Sequence, residues 1–235
     1  DVLKKLGELG ALGVLVPEQY GGAGLGYYEY MTTIIEVAKV CGSIGLSVAA
    51  HNSLCTGHIL QFGNDEQKKK YLPKLTTGNW KAAYCLTEPG SGSDANSGKT
   101  KAILSPDGKH YVINGQKMWI TNAGFADVFV VFAKIDNDEN LSAFIVERSF
   151  PGISFNPEEH KMGIKGSSTR QIFFSDCKVP VENLLSERGN GFKIAVNILN
   201  LGRIKLAGAA LGGSKRTSTF SIRYANERQQ FGRPI

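Results

Sequence analysis

The sequence predicts an α+β protein of three successive units: an N-terminal helical domain over residues 1–79, a middle β-sandwich or barrel domain over 80–182, and the start of a C-terminal helical bundle over 183–235. Three observations predict it. Apolar residues recur at helical spacing up to about residue 78. From about Trp80 short β-rich runs alternate with turn residues. After Val179-Pro180 the helical period returns. Helices, strands and helices in separate blocks mean segregated units, not alternating βαβ crossovers.

In the first unit Val2, Leu3, Leu6, Leu9 and Leu12 follow helical spacing, and Pro17 with the run Gly21–Gly26 predicts a loop. A helix is predicted over about 27–40, with Tyr30, Met31, Ile34, Ile35 and Ala38 on one face, and another over about 44–62. Asn64-Asp65-Glu66-Gln67 reads as a capping box, because an Asn cap and a Gln three residues on satisfy each other's backbone donors. That helix is expected to end near Pro73.

In the second unit strands are predicted at 80–86, 99–104, 110–114, 116–121, 127–135, 141–147 and 170–175. Pro106-Asp107-Gly108 and Asn114-Gly115 are hairpin signals, since glycine supplies positive φ. In the third unit Phe192, Ala195, Val196, Leu199, Leu206, Ala209 and Ala210 are expected to line one side of a long helix.

Composition sets limits. Lys+Arg 27 against Asp+Glu 21 gives +6, but the excess is scattered and no basic stripe with interleaved aromatics marks a nucleic-acid surface. Such a balance suits a polyanionic small molecule. Four cysteines with no CxxC pair read as reduced thiols of an intracellular protein. No apolar run of about 18 residues marks an integral membrane segment. The abrupt start and end read as a fragment.

The stretch Tyr84-Cys85-Leu86-Thr87-Glu88-Pro89-Gly90-Ser91-Gly92-Ser93-Asp94 leaves a strand and becomes a loop dense in donors. Pro89 stops the strand, Gly90 and Gly92 allow positive φ and close approach, and the hydroxyls of Thr87, Ser91 and Ser93 suit an anionic cofactor tail. Lys117-Met118-Trp119-Ile120-Thr121-Asn122 can lay an indole against a flat ring. Three tempting patterns fail. Gly90–Ala95 fits G-x-G-x-x-A, but strand-like sequence follows it instead of a helix. Gly98-Lys99-Thr100 lacks the partner glycine of a P-loop. His51, Cys55 and His58 share a helix face with no fourth ligand for zinc.

Together the two stretches resemble the acyl-CoA dehydrogenase family of flavoenzymes, possibly its long-chain or very-long-chain branch. The spacing Cys85-Leu86-Thr87-Glu88, Ser91-Gly92-Ser93-Asp94, Ser97 fits that family's flavin-loop signature, and Trp119-Ile120-Thr121 fits its second flavin contact. The resemblance implies FAD as cofactor, acyl-CoA as substrate and an electron-transfer flavoprotein as electron acceptor. It implies oxidation to the trans-2-enoyl-CoA in fatty-acid β-oxidation or related breakdown. It implies that Tyr84, Leu86, Thr87, Gly92, Ser93, Trp119, Ile120 and Thr121 hold the flavin. Arg228 and Phe231 would reach the flavin of a neighbouring subunit in a homodimer or homotetramer. Ser93, Ser167, Asn200 and Arg203 would meet the substrate. The implied compartment is bacterial cytoplasm or the mitochondrial matrix.

The catalytic base departs from one family pattern. Some members carry a Glu just before the bundle arginine; here Gly202 precedes Arg203. The base is therefore expected beyond Ile235, with no catalytic residue in this chain. Glu88 is expected to stabilise its turn. Two other readings stand beside the first: an acyl-CoA oxidase or flavin monooxygenase of the same fold, and a non-catalytic CoA- or partner-binding module. The complete loop signature and Trp119 argue against the last.

Overall fold

The computed structural model describes residues 2–235. The helical block comprises α1 (Val2–Glu8), α2 (Tyr27–Val40), α3 (Gly42–Ala49), α4 (Gly57–Phe62) and α5 (Asp65–Thr76). Between α3 and α4 the chain winds through a wider π-helical segment, Ala50–Thr56, so the expected 44–62 helix is continuous but not uniform. Such wide turns cluster at functional sites. Asn64 and Gln67 form the capping box, with the Gln67 N–H on Asn64 at 2.8 Å and the Asn64 N–H on Gln67 at 3.1 Å. The helix does not stop at Pro73. It runs to Thr76, because a proline in the last turn forfeits only one bond while Tyr71, Leu72 and Leu75 anchor the turn in the core.

The β block is one eight-stranded sheet: β1 (Ala82–Cys85), β2 (Lys101–Leu104), β3 (His110–Thr121), β4 (Val128–Ile135), β5 (Leu141–Glu147), β6 (Ile153–Phe155), β7 (Thr169–Pro180) and β8 (Leu184–Leu185). The order is β6-β7-β3-β2-β4-β5-β8, with β1 beside β4 in parallel. β2 is the corner, antiparallel to β3 and parallel to β4. The sheet folds over a shared core in which Ala83, Phe129, Val131 and Phe144 meet Ile113, Ile172 and Phe174. The other face of β1, β4 and β5 packs on the helices through Ala82, Val130, Phe132 and Ile145. That second contact joins the two blocks.

Pro106-Asp107-Gly108 makes the β2–β3 hairpin, with Gly108 at φ 69° and its N–H on the Ser105 carbonyl at 2.9 Å. Asn114-Gly115 does not. It is a bulge inside one long strand β3, where the register against β7 slips between Ile113 and Gly115. The glycine is needed for close approach, since a side chain there would strike Thr100. β6 and the second half of β7 escaped the sequence reading, because their alternation is too short or too polar to stand out.

α6 (Gly191–Glu227) follows, then a small hairpin of β9 (Gln229–Gln230) and β10 (Arg233–Pro234). The buried stripe of α6 is Ile194, Ala195, Ile198, Lys205, Gly208 and Gly212. Of the expected stripe only Ala195, Leu199 and Ala209 pack; Phe192, Val196, Leu206 and Ala210 are exposed. The helix approaches α2 through small residues, so the largest apolar side chains were the wrong guide. By length and composition alone α6 could cross a membrane, with an 18-residue window of mean hydropathy 1.3. Packing helices pass the same test, and α6 packs on α2 and buries a lysine.

Gly212 lies directly under the Ile35 carbonyl, where a β-carbon would overlap it. Gly212→Val is expected to push α6 off α2 and lower stability by about 1–3 kcal/mol in urea unfolding.

Candidate functional site

β1 delivers the first piece of the site. Tyr84 and Leu86 face the core shared with the helices, while Ala83 and Cys85 face the sheet core. The chain then turns at Glu88–Ser91, whose backbones exchange bonds of 3.0 and 3.1 Å. The Ser91 hydroxyl folds back on the Asp94 and Ala95 carbonyls at 2.8 and 3.2 Å. It locks the turn and is not a free donor, contrary to expectation. Thr87 is half-buried and Ser93 exposed, and among the described residues neither hydroxyl has a partner. Gly90 and Gly92 do not take positive φ; they contribute clearance, since a methyl on either would meet nothing within 4 Å.

β3 delivers the second piece. Its register against β7 slips again between Lys117 and Ile120, and Trp119 takes φ 61°. A bulge of this kind re-aims a side chain. Trp119 is 56% exposed, while Ile120 drops back into the core. Leu86 is likewise buried in the core, so Leu86 and Ile120 can offer a ligand only backbone.

The two pieces are bonded to each other. The Met118 N–H donates to the Thr87 carbonyl at 2.9 Å. Beneath the loop Lys117, fully buried, donates to the Leu86 carbonyl at 3.1 Å and to Glu88 Oε1 at 2.7 Å. Glu88 also accepts the Lys99 and Thr100 N–H groups at 2.6 and 3.1 Å. Burial alone would raise the Glu88 carboxyl, but the Lys117 ammonium and these hydrogen bonds hold it below the ordinary carboxylate range. Burial draws Lys117 down, and Glu88 opposes that. A carboxylate so occupied is a brace for the turn and no candidate base.

The third piece comes from β7. Thr121 pairs with Thr169, and the Asn122 N–H donates to the Ser168 carbonyl at 2.9 Å, which sets the Ser167 segment beside the end of β3. Lys161 donates to the Ser167 carbonyl. Among the described residues the buried Ser167 hydroxyl, the Tyr84 hydroxyl and Asn122 Oδ1 all lack partners. Groups left so are costly unless something else meets them.

The fourth piece is α6. A cavity of about 300 Å³ runs between Leu46, Ala50 and Leu54 on one side and Leu199 and Leu206 on the other, with Thr121 and Arg203 also on its wall. A cleft of about 390 Å³ beside it is lined by Asn200 and Arg203, and Arg203 donates to Asn200 at 2.7 Å. Arg228 and Phe231 are not part of this cluster. They follow the end of α6, about 37 Å of helix rise beyond Arg203. Arg228 donates to the Tyr224 hydroxyl and Phe231 is fully exposed.

Other chemistry is absent among the described residues. No group of three potential ligands could hold a metal ion. His51 accepts the Ala82 N–H at 3.1 Å and reaches the Leu75 carbonyl at 3.1 Å, so both its nitrogens are engaged. All four cysteines are free; Cys55 and Cys85 are buried, and burial pushes both thiols up, Cys55 to about 12. Sequence reasoning missed Lys117 as a brace and Lys205 entirely. Period-2 alternation from Ile113 would have placed Lys117 inward.

Three family models match in succession: acyl-CoA dehydrogenase N-terminal domain at residues 1–79, middle domain at 83–177 and C-terminal domain at 189–235. A Bacillus subtilis protein described as a probable acyl-CoA dehydrogenase is 56% identical over 234 residues, covering 100% of this chain and 39% of its own length. The very long-chain specific acyl-CoA dehydrogenase of Macaca fascicularis mitochondria is 46% identical over 241 residues, covering 99% and 37%. The crystal structure of a Bacillus anthracis acyl-CoA dehydrogenase complexed with FAD superposes with a TM-score of 0.96 at 53% identity, covering 100% of this chain and 41% of that one. The chain thus spans about two fifths of the length of these relatives. With its helices, its folded sheet and the opening turns of its last bundle each matched in order, the chain belongs to the acyl-CoA dehydrogenase family.

Proposed function

We propose that the full-length protein carrying this sequence is an FAD-dependent acyl-CoA dehydrogenase that forms trans-2-enoyl-CoA in fatty-acid β-oxidation or related acyl-CoA breakdown. The Met118–Thr87 bond carries this reading, because it fixes the flavin-loop motif and the exposed indole of Trp119 side by side. The residues present fit FAD. A solvent-facing indole offers a flat face, Thr87 and Ser93 offer free hydroxyls, and Gly90 and Gly92 leave room for a bulky phosphate tail. The unpartnered Tyr84 hydroxyl is a further group for a ligand to meet. When bound, FAD supplies the hydride acceptor.

The chain's own residues then orient and exclude. Thr121 shares the wall of the 300 Å³ cavity, which suits an acyl chain by its leucine lining. Ser167, Asn200 and Arg203 offer polar groups to the coenzyme A portion. An α-proton beside a thioester needs an aimed base. Gly202 precedes Arg203 and no carboxylate lines the cavity, so the base comes from outside these residues. The 235-residue chain alone is expected to show no acyl-CoA oxidation; turnover by it would refute that. An electron-transfer flavoprotein would take the electrons, and in a homodimer or homotetramer the exposed Arg228 and Phe231 would reach a neighbour. The compartment would be bacterial cytoplasm or the mitochondrial matrix.

The test is anaerobic mixing of the yellow full-length protein with acyl-CoAs. The flavin absorbance should bleach as enoyl-CoA forms, and peroxide on admitting air would favour an oxidase. A second expectation concerns strain. A non-glycine residue at φ 61° costs of order 1 kcal/mol or more. Trp119→Gly is therefore expected to hold or raise the melting temperature of the FAD-free protein while FAD affinity falls at least about tenfold. A lower melting point would mean that the indole is structural.

A further inference from the structure

Lys205 is the unexpected buried residue of α6, at 5% exposure. Its ammonium donates to the Ala49 carbonyl at 3.0 Å and to the Ser53 hydroxyl at 2.6 Å. Tyr30 donates to the same carbonyl at 3.0 Å. All these partners are neutral, and burial draws the ammonium down to about 7. A leucine would fill the space at lower cost. The position of the side chain supplies a reason for a lysine. One cavity is lined by it and another by its partner Ser53. The first, about 300 Å³, carries Thr121 and is walled by Leu46, Leu54, Leu206 and Lys205 itself. The second, about 190 Å³, is walled by Leu15, Leu60, Leu201 and Ser53. Lys205 lines one, Ser53 lines the other, and the two side chains are bonded to each other.

We propose that Lys205, pinned on Ser53, sets how far an acyl chain can penetrate: it closes the first cavity and withholds the second. The inference rests on the acyl-CoA dehydrogenase reading above. The aliphatic stem presents an apolar wall to the chain, while the head is held by polar partners. A methylene chain pressing on it cannot move it aside without leaving a buried ammonium unbonded. Leucines also line the second cavity, so a chain admitted there gains about fourfold in binding for each methylene buried.

The test uses full-length, FAD-loaded enzyme and straight-chain saturated acyl-CoAs in two-carbon steps. Lys205→Ala is expected to move the optimum of kcat/KM to longer chains, with a gain of about tenfold in the ratio of the next longer substrate to the former optimum. Lys205→Met keeps the length of the plug but loses its pin, and should shift the optimum in the same direction by less than Lys205→Ala does. Adding Leu201→Trp to Lys205→Ala fills the second cavity and should restore it. A folded, FAD-loaded Lys205→Ala enzyme with the wild-type optimum overturns the inference, as does a Met variant shifted as far as Ala. If Lys205→Ala does not fold, Ser53→Ala removes the pin from the other side; it should shift the optimum the same way, and an unmoved optimum overturns the proposal. An active wild type with unmoved variants sinks this inference alone, whereas a wild type that oxidises no acyl-CoA sinks the dehydrogenase reading with it.

Discussion

Lys117→Met is expected to destabilise the fold by about 3–5 kcal/mol and to abolish FAD retention. The substitution leaves Glu88 buried at 6% side-chain exposure without its cation. It also frees the Leu86 carbonyl. The damage propagates to the site because the same ammonium holds residues 86–88 against β3, one residue from the Met118–Thr87 bond. The double variant Lys117→Met with Glu88→Gln should recover part of the loss, since it removes the unpaired charge and a neutral amide oxygen can still accept from one of the two N–H groups, Lys99 or Thr100, which meet different carboxylate oxygens. Urea unfolding of the single and double variants gives the coupling. A loss under about 1 kcal/mol for Lys117→Met would show that water reaches the pair.

The second large effect is acid destabilisation through two buried histidines. Burial holds His51 and His58 neutral, with both rings drawn from the ordinary 6.5 to about 4. His51 cannot take a second proton while the Ala82 N–H occupies Nδ1. His58 is stacked on Tyr84 at 5.3 Å, edge-on to Phe132, and its Nε2 has no partner. The folded values lie below the unfolded ones. Below pH 6.5 the unfolded chain binds protons that the folded chain refuses. The histidine contribution is therefore complete above about 6.5 and falls as pH drops toward 4, by up to about 3 kcal/mol per ring. Two other groups act mainly outside this window. The stabilisation from Glu88 is present above its ordinary 4.5 and is lost as pH falls below it, and Lys205 acts between about 7 and 10.5, where stability rises with pH. His58→Phe should remove about one proton from the slope between pH 6.5 and 4 while preserving the ring packing. An unchanged slope would contradict the assignment.

Much of this site was legible because short motifs fix backbone events. A Pro after Glu88 ends a strand whatever the context, and Gly108 after Asp107 closes a hairpin locally. What was illegible depended on partners distant in sequence. Asn114-Gly115 looks like a turn until β7 and Thr100 supply the neighbours that make it a bulge. The motif names Trp119, but the slip against β7 that turns its indole outward depends on a partner strand about 50 residues away. Ser91 looks like a ligand donor, but its own turn offers two carbonyls within reach. Along α6 hydrophobicity misled because helix approach favours glycine, so Gly208 and Gly212 marked the contact face better than Phe192 or Leu206. Lys205 had no sequence signal at all. A lone lysine on a helix is ordinary until the neighbouring helix buries it.

The most direct measurement concerns Trp119 itself. In the full-length protein with every other tryptophan, Trp80 included, replaced by phenylalanine, FAD is titrated into the flavin-free form while Trp119 emission is followed. The emission should fall to an end point at one FAD per chain, with the same Kd that flavin absorbance gives. FAD binding at that stoichiometry with Trp119 emission unchanged would place the ring elsewhere and contradict the account.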